Sequence, residues 1–325
     1  MKRILIDKAS SLQRVDKYVK KYLSDAPLSF IYKLFRKKDV KINGHWVKGD
    51  YVVQEGDELS IYVTDAQLEE FNKPKEVSLT SFPKEIIYED DNIIIVNKPK
   101  GLLVHGDKNE KTHTLANQVL SYLINKGEYN PRINDTFTPA PAHRLDRNTS
   151  GLVVFGKNIN SLQILEDLFK DKNNIEKHYY ALVCGQVVKG GSIDKPLKKD
   201  ANNGLVRICP ISEGGKSAKT LYTPVSITSD YTLLDIVIVS GRTHQIRVHM
   251  ASLGYHVVGD GKYGNFLTNR EFNKLFNYDS QFLHAYKLIF KNIKGNLSYL
   301  SNKEFVAPIG EKEQNILLTL GIKKF

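Results

Sequence analysis

The chain has 325 residues, enough for two domains with one sizeable core, and its 41% apolar and 26% charged residues describe a globular protein. Its 47 basic and 36 acidic residues give a formal charge of +11, which suits a polyanionic partner such as RNA or DNA. Two cysteines, Cys184 and Cys209, without a CxxC or Cys/His cluster, argue against a disulfide framework and a structural zinc site. No apolar run approaches the roughly 20 residues that span a bilayer, and Asp7 comes too early for a signal peptide, so a cytoplasmic protein off the membrane is expected.

Val15, Tyr18, Val19, Tyr22 and Leu23 recur at the spacing of one helix face. A second helix opens near Ser29, with Ile31, Leu34 and Phe35 inward and Lys33, Arg36, Lys37 and Lys38 outward. Val40-Lys41-Ile42 and Trp46-Val47 then flank Asn43-Gly44, a strong hairpin signal, and Glu55-Gly56-Asp57 turns the chain into alternating Leu59, Ile61 and Val63. The order Arg14-Val15-Asp16-Lys17-Tyr18, Lys37 through Gly44, and Glu55 through Leu59 resembles an S4-type RNA-binding domain over roughly residues 12–63. The resemblance implies RNA contact through Lys33, Arg36, Lys37, Lys38 and Lys41; without it, the same lysines would read as a solvated face.

Residues 1–63 thus form the first unit, and residues 64–83, polar and containing Pro74 and Pro83, are expected to be a linker with little regular structure. From residue 84 to 325 the pattern is that of a second, larger domain. Ile86-Ile87-Tyr88 and Ile93 to Val96 flank an Asp90-Asp91-Asn92 turn, and Pro99 ends the second of these strands. A helix is expected from about Thr114 to Asn125 and another near Leu162 to Phe169. Strands are expected at Tyr179–Val183, Val206–Cys209, Leu221–Ile227, Leu233–Val239, Leu288–Phe290 and Phe305-Val306. The stretch from Ser240 to Met250 enters a helix capped by Gly254, with Ile246, Met250 and Leu253 toward the core. Many strands with little βαβ alternation predict an α+β fold with a mixed, mostly antiparallel sheet.

Between the two expected helices lies His143-Arg144-Leu145-Asp146-Arg147-Asn148-Thr149-Ser150-Gly151, followed by the apolar run Leu152 to Phe155. Asp146 stands among cations at the entry to a buried strand, where side chains are held rigidly at a sheet rim. A carboxylate so placed stays ionised and can act as nucleophile or base, or can form a structural ion pair. A second cluster gathers Arg242, Thr243, His244, Gln245, Arg247 and His249 within eight positions, more polar groups than a core needs. The two histidines lack a nearby third ligand, so no metal is expected, and arginines that reach phosphate, base or carboxylate fit better.

These two stretches, with Lys177-His178-Tyr179-Tyr180-Ala181-Leu182-Val183, Asn97 through His105, Gly259-Asp260-Gly261-Lys262-Tyr263-Gly264 and Leu283-His284-Ala285, resemble in order the RNA pseudouridine synthases of the large-subunit ribosomal type, the RluA/RluC/RluD group. Leu23 through Lys38 looks closest to the RluC type. One local departure is Gly156, where members of the group often carry Ala.

The resemblance implies Asp146 as the catalytic carboxylate, Tyr179 packed against the target base and Arg247 paired with the aspartate. It also implies substrate contacts by His143, Arg144, Arg242, His244 and Gln245, Arg144 helping to hold the RNA open around a flipped nucleotide. The implied reaction isomerises uridines of 23S ribosomal RNA, free or in a large-subunit assembly intermediate, by a monomer without a cofactor. Transfer RNA is the alternative substrate, and a non-catalytic ribosome-assembly clamp is the alternative class, although a clamp needs no Asp146, Tyr179 and Arg247 together. A glycoside hydrolase would need a second carboxylate beside Asp146, and none is evident.

Overall fold

The computed structural model describes residues 1–72, 80–81, 85–131, 136–171, 174–201 and 203–325. The N-terminal unit comprises β1 (Lys2–Leu5), α1 (Val15–Tyr22), α2 (Leu28–Arg36), β2 (Val40–Ile42), β3 (His45–Trp46) and β4 (Glu58–Ile61), its strands in the order β1-β4-β2-β3. Asn43 and Gly44 both adopt positive φ (50° and 82°), as a two-residue hairpin with the right twist requires. Val15, Val19, Ile31, Leu34, Val40, Ile42, Leu59 and Ile61 form one buried core. Lys33, Arg36, Lys37 and Lys38 remain exposed and Lys41 is half-buried. The Lys38 amine lies 5.2 Å from the Trp46 ring centre and that of Lys41 5.1 Å from Tyr62.

The expected linker departs from expectation: Asp65–Phe71 forms a helix, α3. Thr64 accepts from the Gln67 amide at 3.2 Å and Gln67 reciprocally accepts from the Thr64 amide at 3.0 Å, a capping box that satisfies two free amides. Leu68 and Phe71 pack against the N-terminal core, Phe71 with its ring 5.0 Å from that of Phe30. The rest of the expected linker, from 73 to 79 and 82 to 83, and the boundary at residue 84 lie outside the described residues.

The larger region contains β5 (Ile86–Glu89), β6 (Ile93–Lys98), α4 (Leu115–Asn125), β7 (Ala140–Pro141), β8 (Ser150–Gly156), α5 (Ile159–Lys170), β9 (Ile175–Cys184), β10 (Gly191–Asp194), β11 (Leu197–Lys199), β12 (Val206–Ile208), β13 (Lys219–Ile227), β14 (Tyr231–Ile238), α6 (Gln245–Ala251), α7 (Phe266–Phe276), β15 (Leu283–Phe290), β16 (Glu304–Val306) and α8 (Glu311–Thr319). One sheet runs β10-β13-β14-β9-β15-β8-β6-β5, with β16 on β15 and β7 on β8. Its pairings are antiparallel apart from β8 with β15. The architecture is therefore α+β with a mixed, mostly antiparallel sheet, as the strand-rich pattern predicts. Among the described residues no helix is long and apolar enough to cross a membrane.

Strand β8 is buried along its whole length because both faces are covered. Val153 and Phe155 pack with Leu115, Val119 and Leu123 of α4, whereas Leu152 and Val154 pack with Leu165 and Leu168 of α5. That explains an apolar run without alternation. Each such side chain contributes about 1.5–3 kcal/mol on burial, which anchors the rim of β8 firmly. At that rim Gly151 has φ +114°, and a Cβ there would stand 2.2 Å from the Ala285 carbonyl oxygen, so only glycine permits the close parallel crossing of β15.

Helix α6 starts at Gln245 and is followed by Gly254 at φ +84°. Leu253, expected in the core, is 38% exposed, because the helix ends at Ala251 and Leu253 falls in the turn beyond it. Strand β1 and helices α7 and α8 have no counterpart in the elements expected from sequence.

Candidate active site

Asp146 lies in the loop between β7 and β8, four residues before Ser150. Two devices hold this loop. The Thr149 amide donates to the Asp146 carbonyl at 3.0 Å, closing a tight turn. Lys98, at the end of β6 and fully buried, donates to the carbonyls of Pro99 (2.9 Å), Leu102 (2.9 Å) and Arg147 (3.0 Å), so one amine ties β6 to the residue after Asp146. Burial pushes this amine down to about 7, with the Asp146 charge opposing the shift.

Arg247, on α6, is 5% exposed and bridges two carboxylates. Nε and Nη2 donate to Asp260 at 2.7 and 2.6 Å, and Nη1 donates to Asp146 Oδ2 at 3.3 Å. Asp260 also accepts from the amides of Lys262 and Tyr263 at 2.9 and 3.1 Å. Burial works against the Arg247 charge, but Asp260 first and Asp146 second outweigh it, and its pKa is raised. Burial likewise disfavours the Asp260 carboxylate, and its bonds to Arg247 reverse that effect and lower its pKa. Among the described residues Asp146 Oδ1 makes no hydrogen bond, so one carboxylate oxygen is restrained and the other is open for chemistry.

His244 adopts φ 53° just before α6. Its Nδ1 is 2.8 Å from the Tyr263 hydroxyl, whose oxygen accepts from the Val206 amide at 2.8 Å and whose proton is free to go to Nδ1. Its Nε2 lies 3.8 Å from Asp146 Oδ2. Burial lowers the His244 pKa against the pull of Asp146, so the neutral ring with a proton on Nε2 suits both contacts.

Tyr179, on β9, is 8% exposed, and its hydroxyl makes no hydrogen bond among the described residues. Burial, then the Asp146 charge, pushes its phenol pKa up, keeping it protonated. Asp146, Tyr179, His244 and Arg247 line one cavity of about 490 Å³, within the range of roughly 300–1,000 Å³ usual for small-molecule sites.

The other residues singled out from sequence divide between wall and rim. Arg144 is exposed at the cavity rim, and Arg147 faces away, 3.6 Å from Asp107. The His143 ring stacks on Phe169 at 3.9 Å with Nε2 accepting from the Val154 amide at 3.1 Å, and burial holds its pKa down to about 3. His143 is thus a neutral piece of wall. Gln245 accepts from Ser240 and the Arg242 amide and donates to Lys219 and Thr220, so its amide group is spent on shaping the loop before α6. Arg242 is exposed at the rim, with Nε on the Ser217 carbonyl at 3.1 Å. His249 is buried between Thr220 and the Lys195 carbonyl, away from His244. The basic residues of the N-terminal unit are not in the cavity. Lys98, Asp260 and Tyr263 carry the site's support yet received no role from sequence; the only signal was their place beside Pro99 and within Gly259-Asp260-Gly261-Lys262-Tyr263-Gly264.

The fold has solved neighbours. The human RNA pseudouridylate synthase domain containing 4 superposes with a TM-score of 0.58 over 73% of this chain and 93% of that one, at 21% identity. In sequence, the family model for RNA pseudouridylate synthase matches residues 92–252. Ribosomal large subunit pseudouridine synthase C of Vibrio parahaemolyticus is 32% identical, covering 97% of this chain and 95% of that protein. Synthase D of Buchnera aphidicola is 32% identical over 98% of this chain and 100% of its own. The chain belongs to the RNA pseudouridylate synthase family and is an RNA pseudouridine synthase, an isomerase.

Proposed function

We propose that this enzyme converts specific uridines of 23S ribosomal RNA to pseudouridine, with Asp146 as its single catalytic carboxylate. The substrate is argued from the names of relatives that match nearly end to end. Because synthases C and D match at equal identity, the reading is made at the level of large-subunit RNA. The mechanism rests on one observation: Arg247 engages Oδ2 of Asp146 while Oδ1, among the described residues, is unengaged in a cavity shared with Tyr179.

The reaction breaks the N1–C1′ bond, turns the uracil and joins C5 to C1′. No atoms or electrons enter or leave, so the chemistry calls for no cofactor. Uracil departs as a stabilised anion and must stay in the pocket, which removes the need for the second carboxylate of a glycosidase. Asp146 acts on the sugar through Oδ1, by attack at C1′ or removal of the C2′ proton. Arg247 holds the carboxylate oriented through Oδ2. Tyr179 packs against the flipped base, and its protonated hydroxyl can pass a proton. Arg144 and Arg242 at the rim, and the lysines of the N-terminal unit, bind the RNA backbone, as the net charge of +11 suits.

The test is pseudouridine mapping in ribosomal RNA from cells lacking the protein, complemented with wild type or Asp146→Asn. The variant should bind RNA and restore no pseudouridine. Restoration by Asp146→Asn would sink the mechanism, and unchanged 23S RNA in the deletion strain would move the substrate elsewhere.

A further inference from the structure

Among the described residues, other lysines with little exposed surface have partners. Lys98 holds three carbonyls, Lys100 pairs with Glu313 at 3.1 Å, and Lys157 pairs with Glu89 at 3.0 Å. Lys177 has none. It is 6% exposed, yet among the described residues its amine makes no hydrogen bond or ion pair, and the Phe169 ring centre lies 6.0 Å from Nζ. Holding a cation in so little water without a partner is unfavourable, and among the described residues no group offsets that cost.

Lys177 lines the cavity that holds Asp146. It stands two positions before Tyr179 on the uninterrupted strand β9, so both side chains leave the same face about 7 Å apart. That is the scale of the distance from a nucleobase to the phosphate of its own nucleotide. The surroundings favour an anion: Arg144 and Arg242 stand at the rim and Lys170 lines the same wall. The carboxylate of Glu166 there already lies 3.8 Å from Lys170, and His143 is neutral.

We propose that Lys177 holds a backbone phosphodiester of the RNA at or beside the target nucleotide. This rests on reading the cavity as the uridine site. Burial lowers the pKa of the free amine, and an arriving phosphate would reverse that shift.

The experiment measures RNA binding by Lys177→Met and Lys177→Arg, each on an Asp146→Asn background so that binding is read apart from turnover. Salt is varied over roughly 50–200 mM, and a set of RNA substrates carries one neutral methylphosphonate at successive linkages around the target uridine. Lys177→Met should weaken binding about tenfold and flatten the slope of log K against log salt by about 0.7–0.9, the amount for one phosphate contact. Lys177→Arg should restore both. One methylphosphonate should weaken binding to the Lys177-containing protein but not to the Met variant. An unchanged salt slope, or equal methylphosphonate penalties in both proteins, overturns the proposal. Turnover by Asp146→Asn would instead overturn the catalytic reading, and the binding result would stand apart from it.

Discussion

Arg247 is bonded more closely to Asp260 than to Asp146: two hydrogen bonds of 2.7 and 2.6 Å against one of 3.3 Å. The side chain of Asp260 has no exposed surface, and that of Asp146 is 25% exposed. The guanidinium is thus anchored on a buried carboxylate and lends its remaining edge to one facing the cavity. This leaves Asp146 restrained on one oxygen without burying it in a closed ion pair.

Asp260→Asn tests the anchor. Removing one partner of a buried pair costs about 3–5 kcal/mol, and with it the orientation of Arg247. Denaturant unfolding should show that loss, and single-turnover isomerisation should slow as well. Wild-type stability together with a wild-type rate would show that Arg247 does not depend on Asp260.

At Tyr179 the ring and the hydroxyl can be separated. Tyr179→Leu removes the stacking surface and should reduce kcat/KM by the equivalent of about 1–3 kcal/mol through weaker base binding. Tyr179→Phe keeps the ring and should bind RNA as wild type does, with turnover slower by about 10²-fold from loss of the proton-passing group. If Phe turns over normally, the hydroxyl takes no part in proton transfer.

Stability should depend on pH through His284. This side chain is 1% exposed, with Nδ1 2.9 Å from the Ser150 hydroxyl and Nε2 3.1 Å from the Ala307 carbonyl, a neutral ring pinning β8 to β15. Burial pushes its pKa from 6.5 down to about 4. As pH falls, the unfolded chain takes up this proton first, so the contribution is complete above about pH 6.5 and is lost between there and about pH 4. The loss should be on the order of 3 kcal/mol. The difference in unfolding free energy between wild type and His284→Gln, followed from about pH 7 to about pH 4.5, isolates it from the carboxylates. A difference that does not change with pH would show that His284 does not titrate on unfolding.

Much of the fold was legible where information is local. The face formed by Val15, Tyr18, Val19 and Tyr22, the Asn43-Gly44 turn and the run Leu152 to Phe155 each declare an element within a few residues. Helix α3 was also written locally, in Thr64 and Gln67, but the prolines that follow masked it. Leu253 lies two residues past the end of α6, where helical periodicity no longer sets which way a side chain faces.

By itself, the sequence determined the type of many elements, though not of β1, α3, α7 or α8, the basic character and, through motif order, the identities of Asp146, Tyr179 and Arg247 as candidates. Only the tertiary structure decided how they are placed relative to one another. Arg247 and Asp146 are 101 positions apart, Lys98 and Arg147 are 49 apart, and Lys177, without a partner among the described residues, lines the cavity because β9 passes beside it. Periodicity and turn chemistry act over a few residues and can be read along the chain. Hydrogen bonds, burial and the choice of which carboxylate an arginine serves depend on which strands come to lie side by side.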